Sequence, residues 1–304
     1  MDKILAVVPV HNRVEMTLKV LSNLLELEAI NFQLDILVVD DGSTDGTSEA
    51  IMKNFPMVIL KHGDGQLWWG GSINIGFVYA AKNGYTHVYT VNNDIAIRPN
   101  ALRVLHDSLC GRQDMVCSSL FVNDKGDTIL AGWMITGIFK KLKSCHSIKG
   151  CYTNGAKHIH VDTLSTKSTL IPIQVISKVG LIDTKHFIHN YSDIDFFCRV
   201  KSFGFKNTVV PESIIITDGS DSSFYHVIGT QGRIAVLLTF FDVKYANNIR
   251  TIYHATTLRQ KVIIGHIAFV VHLLPYLFWS ILNVFLPTDA VLWIMKQKRK
   301  ATGG

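Results

Sequence analysis

Two kinds of apolar pattern alternate along the first hundred residues. Short continuous apolar runs, ILAVVPV at 4–10, LDILVVD at 34–40, VIL at 58–60 and HVYTV at 87–91, read as buried strands. Between them VEMTLKVLSNLLELEAI, the residues over 45–54 that follow a DGSTDGT turn, and SINIGFVYAAKN carry helical spacing. Asn12, followed three residues later by Glu15, has the form of a capping box opening the first helix. Such alternation predicts an α/β fold, with parallel strands joined by crossover helices and ligands at the carboxyl ends of the strands. Residues 115–165 are less regular, with a strand-like IHVDTL at 159–164. PIQVISKVG and SDIDFFCRVKSFG then read as helices closed by glycine.

The strand ends carry the polar residues of interest. After the first strand comes PVHNR; after the second, Asp40-Asp41-Gly42-Ser43; after the fourth, Asn92-Asn93-Asp94. Two amides and a carboxylate are poor strand formers, and an isolated triplet of this kind is more often a turn capped by Asn and Asp side chains. Adjacent strand residues face opposite ways, so one of Asp40 and Asp41 suffices for a pocket while the other caps the turn. Between them lies GDGQLWWGGSINIG at 63–76, whose glycines suit a ligand lying close to backbone at a helix start; the alternative is an aromatic-anchored loop with Trp68 and Trp69 in the core. Each signal is weak alone, and their convergence on one sheet edge is what gives them weight.

Composition narrows the class. With 304 residues, 48% of them hydrophobic, the chain buries a full core. A net charge of +6 suits an anionic partner, but the only dense basic run is KQKRK at 296–300, which favours a membrane surface or a phosphorylated ligand and argues against nucleic acid. Five cysteines without CxxC spacing indicate neither a zinc site nor a disulfide framework, and suit a reducing compartment. The N-terminal apolar run, broken by Pro9, is too short for a signal peptide.

Taken in order, VVPVHNR, VVDDGSTDGT, LWWGGSINIG, VNND and NYSDIDFFCRVKSFG resemble the inverting family 2 glycosyltransferases of GT-A fold, and among them the rhamnosyltransferase-like bacterial members. The resemblance covers about residues 3–250. It implies a Rossmann-like, mostly parallel sheet flanked by helices, with a GT-A domain over 1–250 and a hydrophobic, basic C-terminal helical extension over 251–304. The implied reaction moves a sugar with inversion from a UDP- or dTDP-sugar to a hydroxyl of a saccharide or lipid-linked acceptor, in bacterial surface polysaccharide biosynthesis.

Roles carry over position by position. Asn92-Asn93-Asp94 occupies the place of the DXD-type motif, which implies Asp94 as ligand of Mg2+ or Mn2+ and Asn93 near the ribose. Pro9 and Asp41 resemble the positions framing a pyrimidine, and Gly70, Gly71 and Asn74 the segment passing along the nucleotide sugar. Asp193 matches the general base, which the attacking hydroxyl requires. Arg199 reads as structural, paired with an acid, and Asp195 equally as a charge offsetting the helix dipole. The chain departs from the pattern at Ser192, where a Glu is usual, and near ITDGSDSS, where Thr217 or Asp218 stands for a usual His and His226 is the nearby candidate. An inactive GT-A scaffold in a membrane-associated assembly is the alternative; a sugar-nucleotide-forming nucleotidyltransferase is disfavoured because PVHNR is not glycine-rich.

VIIGHIAFVVHLLPYLFWSILNVFL at 262–286 has the length of a membrane span. Pro275 divides it, however, and basic residues flank both ends: Arg259 and Lys261 before, Lys296, Lys298, Arg299 and Lys300 after. The expectation is a kinked pair of helices at an anionic membrane surface, on the cytoplasmic face of the inner membrane.

Overall fold

The computed structural model describes residues 1–112, 114–130, 132–145, 155–217, 227–228, 232–258 and 260–302, the side chains of the last five excepted. Two compact units result: one of residues 1–134, 143–184 and 192–219, the other of residues 135–142, 185–191 and 220–304. The second unit thus takes in residues 220–250, where the sequence pattern drew the boundary at 250.

In the first unit the expected alternation is present. β1 (Asp2–Val10), α1 (Val14–Leu25), β2 (Phe32–Asp40), α2 (Thr47–Asn54), β3 (Ile59–His62), α3 (Trp68–Lys82) and β4 (His87–Val91) follow in turn. After β5 (Ala96–Ile97), α4 (Ala101–Leu109) and β6 (Met115–Val122) come β7 (Thr128–Leu130), β8 (Trp133–Thr136) and β9 (Lys141–Ser144), the last two forming a separate pair whose residues within 135–142 belong to the second unit. β10 (Ile159–Val161), β11 (Ser168–Pro172), α5 (Ile173–Val179), α6 (Ser192–Ser202) and β12 (Lys206–Ile216) complete the unit. The main sheet has the order β10-β12-β6-β11-β4-β1-β2-β3. β3, β2, β1, β4, β6 and β12 run the same way, and β11 and β10 run against them.

Packing explains why continuous apolar runs form these strands. Leu5, Val7, Leu37 and Val88 face one core cluster with α3, α5 and α6; Ile4, Ala6, Val8 and Val38 face the other with α1 and α4. A strand covered on both faces needs apolar residues at every position. The middle of the sheet also carries a chain of buried hydroxyls: Tyr89 to Ser168, Ser168 to Ser119 and Ser119 to Ser213, each 2.7 Å, ending on the carbonyl of Ala101. Each hydroxyl is satisfied, so these polar atoms cross-link four strands rather than weaken the core.

Three sequence expectations change. No capping box opens α1: Asn12 and Arg13 adopt left-handed φ of 59° and 62°, Asn12 Oδ1 accepts from the N–H of Thr44, and the Val14 N–H donates to Asp45 Oδ2 at 3.0 Å. The cap therefore comes from the β2–α2 loop, which local spacing does not reveal. Cys145 is disulfide-bonded, although the cysteine spacing indicated no bridge.

The third change lies in the second unit, which holds α7 (Arg233–Leu238), α8 (Ile249–Thr257), α9 (Val262–Phe285) and α10 (Thr288–Thr302). α9 runs continuously through Pro275 instead of splitting into two arms. A proline removes one i→i−4 bond, and a helix held by packing on both sides of it bends rather than ends. Near its start, a Cβ at Gly265 would meet Thr257 Cα at 3.0 Å, so α8 and α9 approach to glycine distance. Near its end, Trp279 packs with Val227, Ile228, Val236, Val291 and Met295.

Candidate functional site

The carboxyl edge of β1, β2, β3 and β4 gathers the polar strand ends. Asp40 and Asp41 divide the work there. Asp40 is a turn residue: its carboxylate accepts from the N–H of Ser43 at 2.9 Å and from the hydroxyl of Ser48. Asp41, also buried, reaches across to the loop before α3, where Oδ1 accepts from the N–H of Gly65 and Oδ2 from that of Trp68, both at 2.8 Å. The Asp41 carboxylate thus holds the start of α3, where backbone donors lack helical partners. A carboxylate has about four acceptor positions, so further donors remain admissible. The two loops meet at glycines. Gly42 has φ of +71°, and a Cβ there would stand 3.1 Å from Gly65 Cα.

From α3 the contacts continue to β4. The Trp69 indole N–H donates to Asn92 Oδ1 at 3.0 Å, and the Asn92 N–H donates to the carbonyl of Lys167 at 3.1 Å. Lys167 stands immediately before β11, whose pairing of Ser168 with Val91 brings it beside the end of β4. Its ammonium donates to Asp94 Oδ2 at 2.9 Å. Asn93 turns the other way and donates to Thr17 Oγ1 on α1 at 3.2 Å. Pro9 lies beyond Val7↔Thr90, the last β1–β4 pair, so its missing N–H costs no bond to β4.

α6 brings the remaining carboxylates. Asp195 is buried and ion-paired with Arg199 at 2.7 Å, while the Arg199 guanidinium also donates to the carbonyls of Val179 and Leu181. That arginine is structural, as expected: it ties α6 to the end of α5. Asp193 is half-buried, and its Oδ1 accepts from the Ile194 N–H at 2.8 Å. Burial pushes its carboxyl up to about 6, opposed by backbone hydrogen bonds and by the positive charge of Lys167. A carboxylate titrating there is suited to accept a proton near neutral pH. Tyr191, two residues earlier, has φ of 68°, a strained conformation for a non-glycine residue.

Three residues expected to lie along the donor have packing partners within the fold. Asn74 clamps Ile182, donating to its carbonyl and accepting from its N–H, both at 2.9 Å. A Cβ at Gly70 would lie 3.2 Å from Ile182 Cγ2 and from Thr184 Cγ2, and one at Gly71 3.2 Å from Leu67 Cβ. Gly70 and Asn74 thus let α3 sit against Ile182, Thr184 and Ser192. Lys167 is the residue that the sequence patterns missed; the signal was the β-branched run Ser168–Pro172, closed by proline, which marks a strand. Ser192 is buried beside Gly70, Thr217 is buried after β12, and Asp218 and His226 lie outside the described residues. A cavity of about 460 Å³ lined by Asp2, His87 and His106 opens at the amino ends of β1 and β4, the opposite edge of the sheet.

Residues 5–155 match the family model described as "Glycosyl transferase family 2". That stretch, about half of the chain, is thus similar to family 2 glycosyltransferases. No curated protein matches the chain. Among solved structures, the chain is similar to GalNAc-T7 with UDP, GalNAc and Mn2+, at 11% identity, TM-score 0.58, covering 86% of this chain and 52% of that one. It is similar to S. aureus TarS at 15% identity and TM-score 0.53, with 84% and 42% covered. It is also similar to the mannosyltransferase PcManGT from Pyrobaculum calidifontis, in complex with GDP-Man and Mn2+, at 14% identity and TM-score 0.53, with 95% and 86% covered. The chain spans about half the length of the first two. These likenesses establish the GT-A architecture.

The Mn2+ in two of those structures makes the donor set here informative. Among the described residues no group of three or more His, Cys, Asp or Glu side chains stands together to hold a metal ion. Asn92 and Asn93 are bonded to Trp69 and Thr17, and the Asp94 carboxylate already carries the ammonium of Lys167. A divalent cation brought to Asp94 meets a like charge within hydrogen-bond reach. The described residues therefore do not fit a resident Mg2+ or Mn2+ site.

Proposed function

We propose that this chain transfers a sugar from a nucleotide-sugar donor to a hydroxyl of a saccharide or lipid-linked acceptor, with inversion. The observation that carries the reading is the run of contacts from Asp41 through Trp68, Trp69, Asn92 and Lys167 to Asp94, with Asp193 in the field of the same lysine. One edge thus holds a buried acceptor for a nucleobase N–H, a lysine cation, and a carboxylate tuned to take a proton. In the proposed reaction Asp193 removes the acceptor hydroxyl's proton as oxygen attacks the anomeric carbon from the face opposite the departing nucleoside diphosphate. Asp41 and Pro9 frame the base, which favours a UDP- or dTDP-sugar, and Asn93 stands on the ribose side. No step of this reading rests on Mg2+ or Mn2+.

A bacterial polysaccharide role and a site at the cytoplasmic face of the inner membrane fit the second unit. Ile263, Ile267, Val270, Leu274, Phe278, Ile281 and Phe285 are all exposed and recur at steps of three or four, one stripe along α9. His266 and His272 donate back to the carbonyls of Val262 and Ala268, which removes polar atoms from competition with that stripe. Twenty-four residues make a helix of about 36 Å, long enough to span. Yet α9 is held near its start by α8 and near its end by the Trp279 cluster, so a spanning α9 would drag its partners into the bilayer. A helix lying along an anionic membrane surface, with Lys261 and Lys296 exposed at its flanks, satisfies both constraints.

Incubating the full chain with UDP-, dTDP- and GDP-sugars and scoring donor hydrolysis or transfer tests the reading. Release of nucleoside diphosphate, lost in Asp193→Asn, is the expected result; no turnover and no nucleotide binding by the wild-type chain would favour the inactive scaffold.

A further inference from the structure

The lysine at the head of β11 has no role in the reading above beyond its charge, and its placement is specific. The antiparallel pairing of β11 with β4 delivers residue 167 to the edge where the parallel strands end, and the Asn92 N–H fixes its carbonyl there. Its side chain then extends to Asp94 Oδ2 and acts electrostatically on Asp193, so one ammonium serves two carboxylates of the site. The Lys167 side chain is 23% exposed and the Asp94 side chain 10%, so the lysine is the more accessible partner of the pair. An ammonium on a flexible four-carbon stem exchanges one anionic partner for another without moving backbone, and a diphosphate offers it more charge than a carboxylate does.

We propose that Lys167 is a diphosphate-binding residue: in the ligand-free chain its ammonium rests on Asp94, and when the donor enters it moves to the diphosphate and supplies the positive charge there without a divalent ion. This rests on the nucleotide-sugar reading of the same edge. Asp94 is then the resting place and orienting partner of the lysine. The donor set noted above follows naturally, because a site whose cation is built into the chain needs no cluster of carboxylates.

The test measures binding of UDP, dTDP and GDP to the full chain by calorimetry, once in excess EDTA and once with Mn2+, for wild type, Lys167→Met and Lys167→Arg. Wild type binds at least one nucleoside diphosphate in EDTA with little gain from Mn2+. Loss of a charge-assisted hydrogen bond weakens Lys167→Met in EDTA by about tenfold to a hundredfold, and Lys167→Arg recovers most of it. A second readout is the Mn2+ electron paramagnetic resonance signal without nucleotide: Lys167→Met retains more Mn2+ than wild type, because its Asp94 carboxylate no longer carries an ammonium. Should wild type bind nucleotide only with Mn2+, and Lys167→Met bind as wild type does, the lysine is a structural ion pair and the inference falls while the donor reading stands. Should wild type bind no nucleoside diphosphate in either condition, the donor reading falls and takes this inference with it.

Discussion

The carboxyl edge of the sheet and the outer face of α9 are opposites in what they leave exposed. At the sheet edge nearly every polar group named above is bonded to another: Asp41 to two backbone amides, Asn92 to Trp69, Asp94 to Lys167. Along α9 seven exposed apolar residues form one stripe. The first arrangement holds its geometry before any ligand arrives, which is what a reacting centre needs. The second leaves a contiguous apolar stripe, which marks a surface that works by being covered. On the proposed reading chemistry and location belong to different units, and substitutions should separate them.

The largest effect is expected at the reacting centre. Asp193→Asn should lower the transfer rate by about 10²- to 10⁴-fold, the usual cost of a lost general base, while nucleoside diphosphate binding by calorimetry stays within a few-fold. Asp195→Asn is the control from the same turn: it breaks the tie to Arg199 and should show as a lower melting temperature with the rate per folded molecule preserved. A dead Asp195→Asn beside an active Asp193→Asn would reverse the assignment of the two carboxylates.

The outer face of α9 comes next. Leu274→Asp combined with Phe278→Asp puts two charges into the exposed stripe. Losing about 1.5–3 kcal/mol of burial for each side chain weakens association with anionic vesicles by about a hundredfold or more, with donor turnover in solution unchanged. Flotation of full-length protein with phosphatidylglycerol vesicles, and its absence with zwitterionic ones, measures the effect. Equal flotation of wild type and double variant would remove the membrane assignment and leave the chemistry untouched.

How much of this was legible in the sequence depends on whether the relevant contact is local. HVYTV was read as a strand over 87–91 and folds as one, because burial on both faces demands an unbroken apolar run. The carboxyl-edge position of Asp41 and Asp94 followed from alternation alone. Long-range contacts were invisible. The cap on α1 comes from Asp45, 31 residues from the amide it accepts. Lys167 reaches Asp94 across 73 positions, through an antiparallel strand inserted among parallel ones. The continuity of α9 through Pro275 depends on packing against α8 and α10, which a proline's local rule does not include. Asn74 is similar: the resemblance implied a ligand contact, and its partner Ile182 lies 108 residues away.

That clamp supplies a smaller test of the site's support. Asn74→Ala removes two hydrogen bonds and leaves the amide and carbonyl of the buried Ile182 without that partner. A loss of about 1–3 kcal/mol in unfolding free energy is expected, with nucleoside diphosphate affinity little changed. A selective loss of nucleotide affinity at unchanged stability would return Asn74 to the donor-contact role that the resemblance implied.

The smallest effect concerns stability and pH, and it again sets the reacting centre against the rest of the fold. The Asp193 carboxyl has its pKa raised to about 6 from the ordinary 3.8, chiefly by burial. A raised acid binds its proton more tightly in the folded chain than in the unfolded one, so between about pH 4 and pH 6 the folded state holds more protons and stability falls as pH rises. Above pH 6 the ionised carboxylate is a net cost, on the order of 1–3 kcal/mol. Asp193→Asn keeps an acceptor for the Ile194 N–H and removes that charge, so it should unfold at higher denaturant than wild type at pH 7.5. The gap should narrow through pH 4 and close by about pH 3, where both states of the wild-type aspartic acid are largely protonated. The transfer rate of wild type should move oppositely, rising as pH passes through about 6 because the base must be ionised to act. Equal stability of the two proteins across that range, with a flat rate profile, would mean that burial does not tune this carboxyl and that its place in the site is structural.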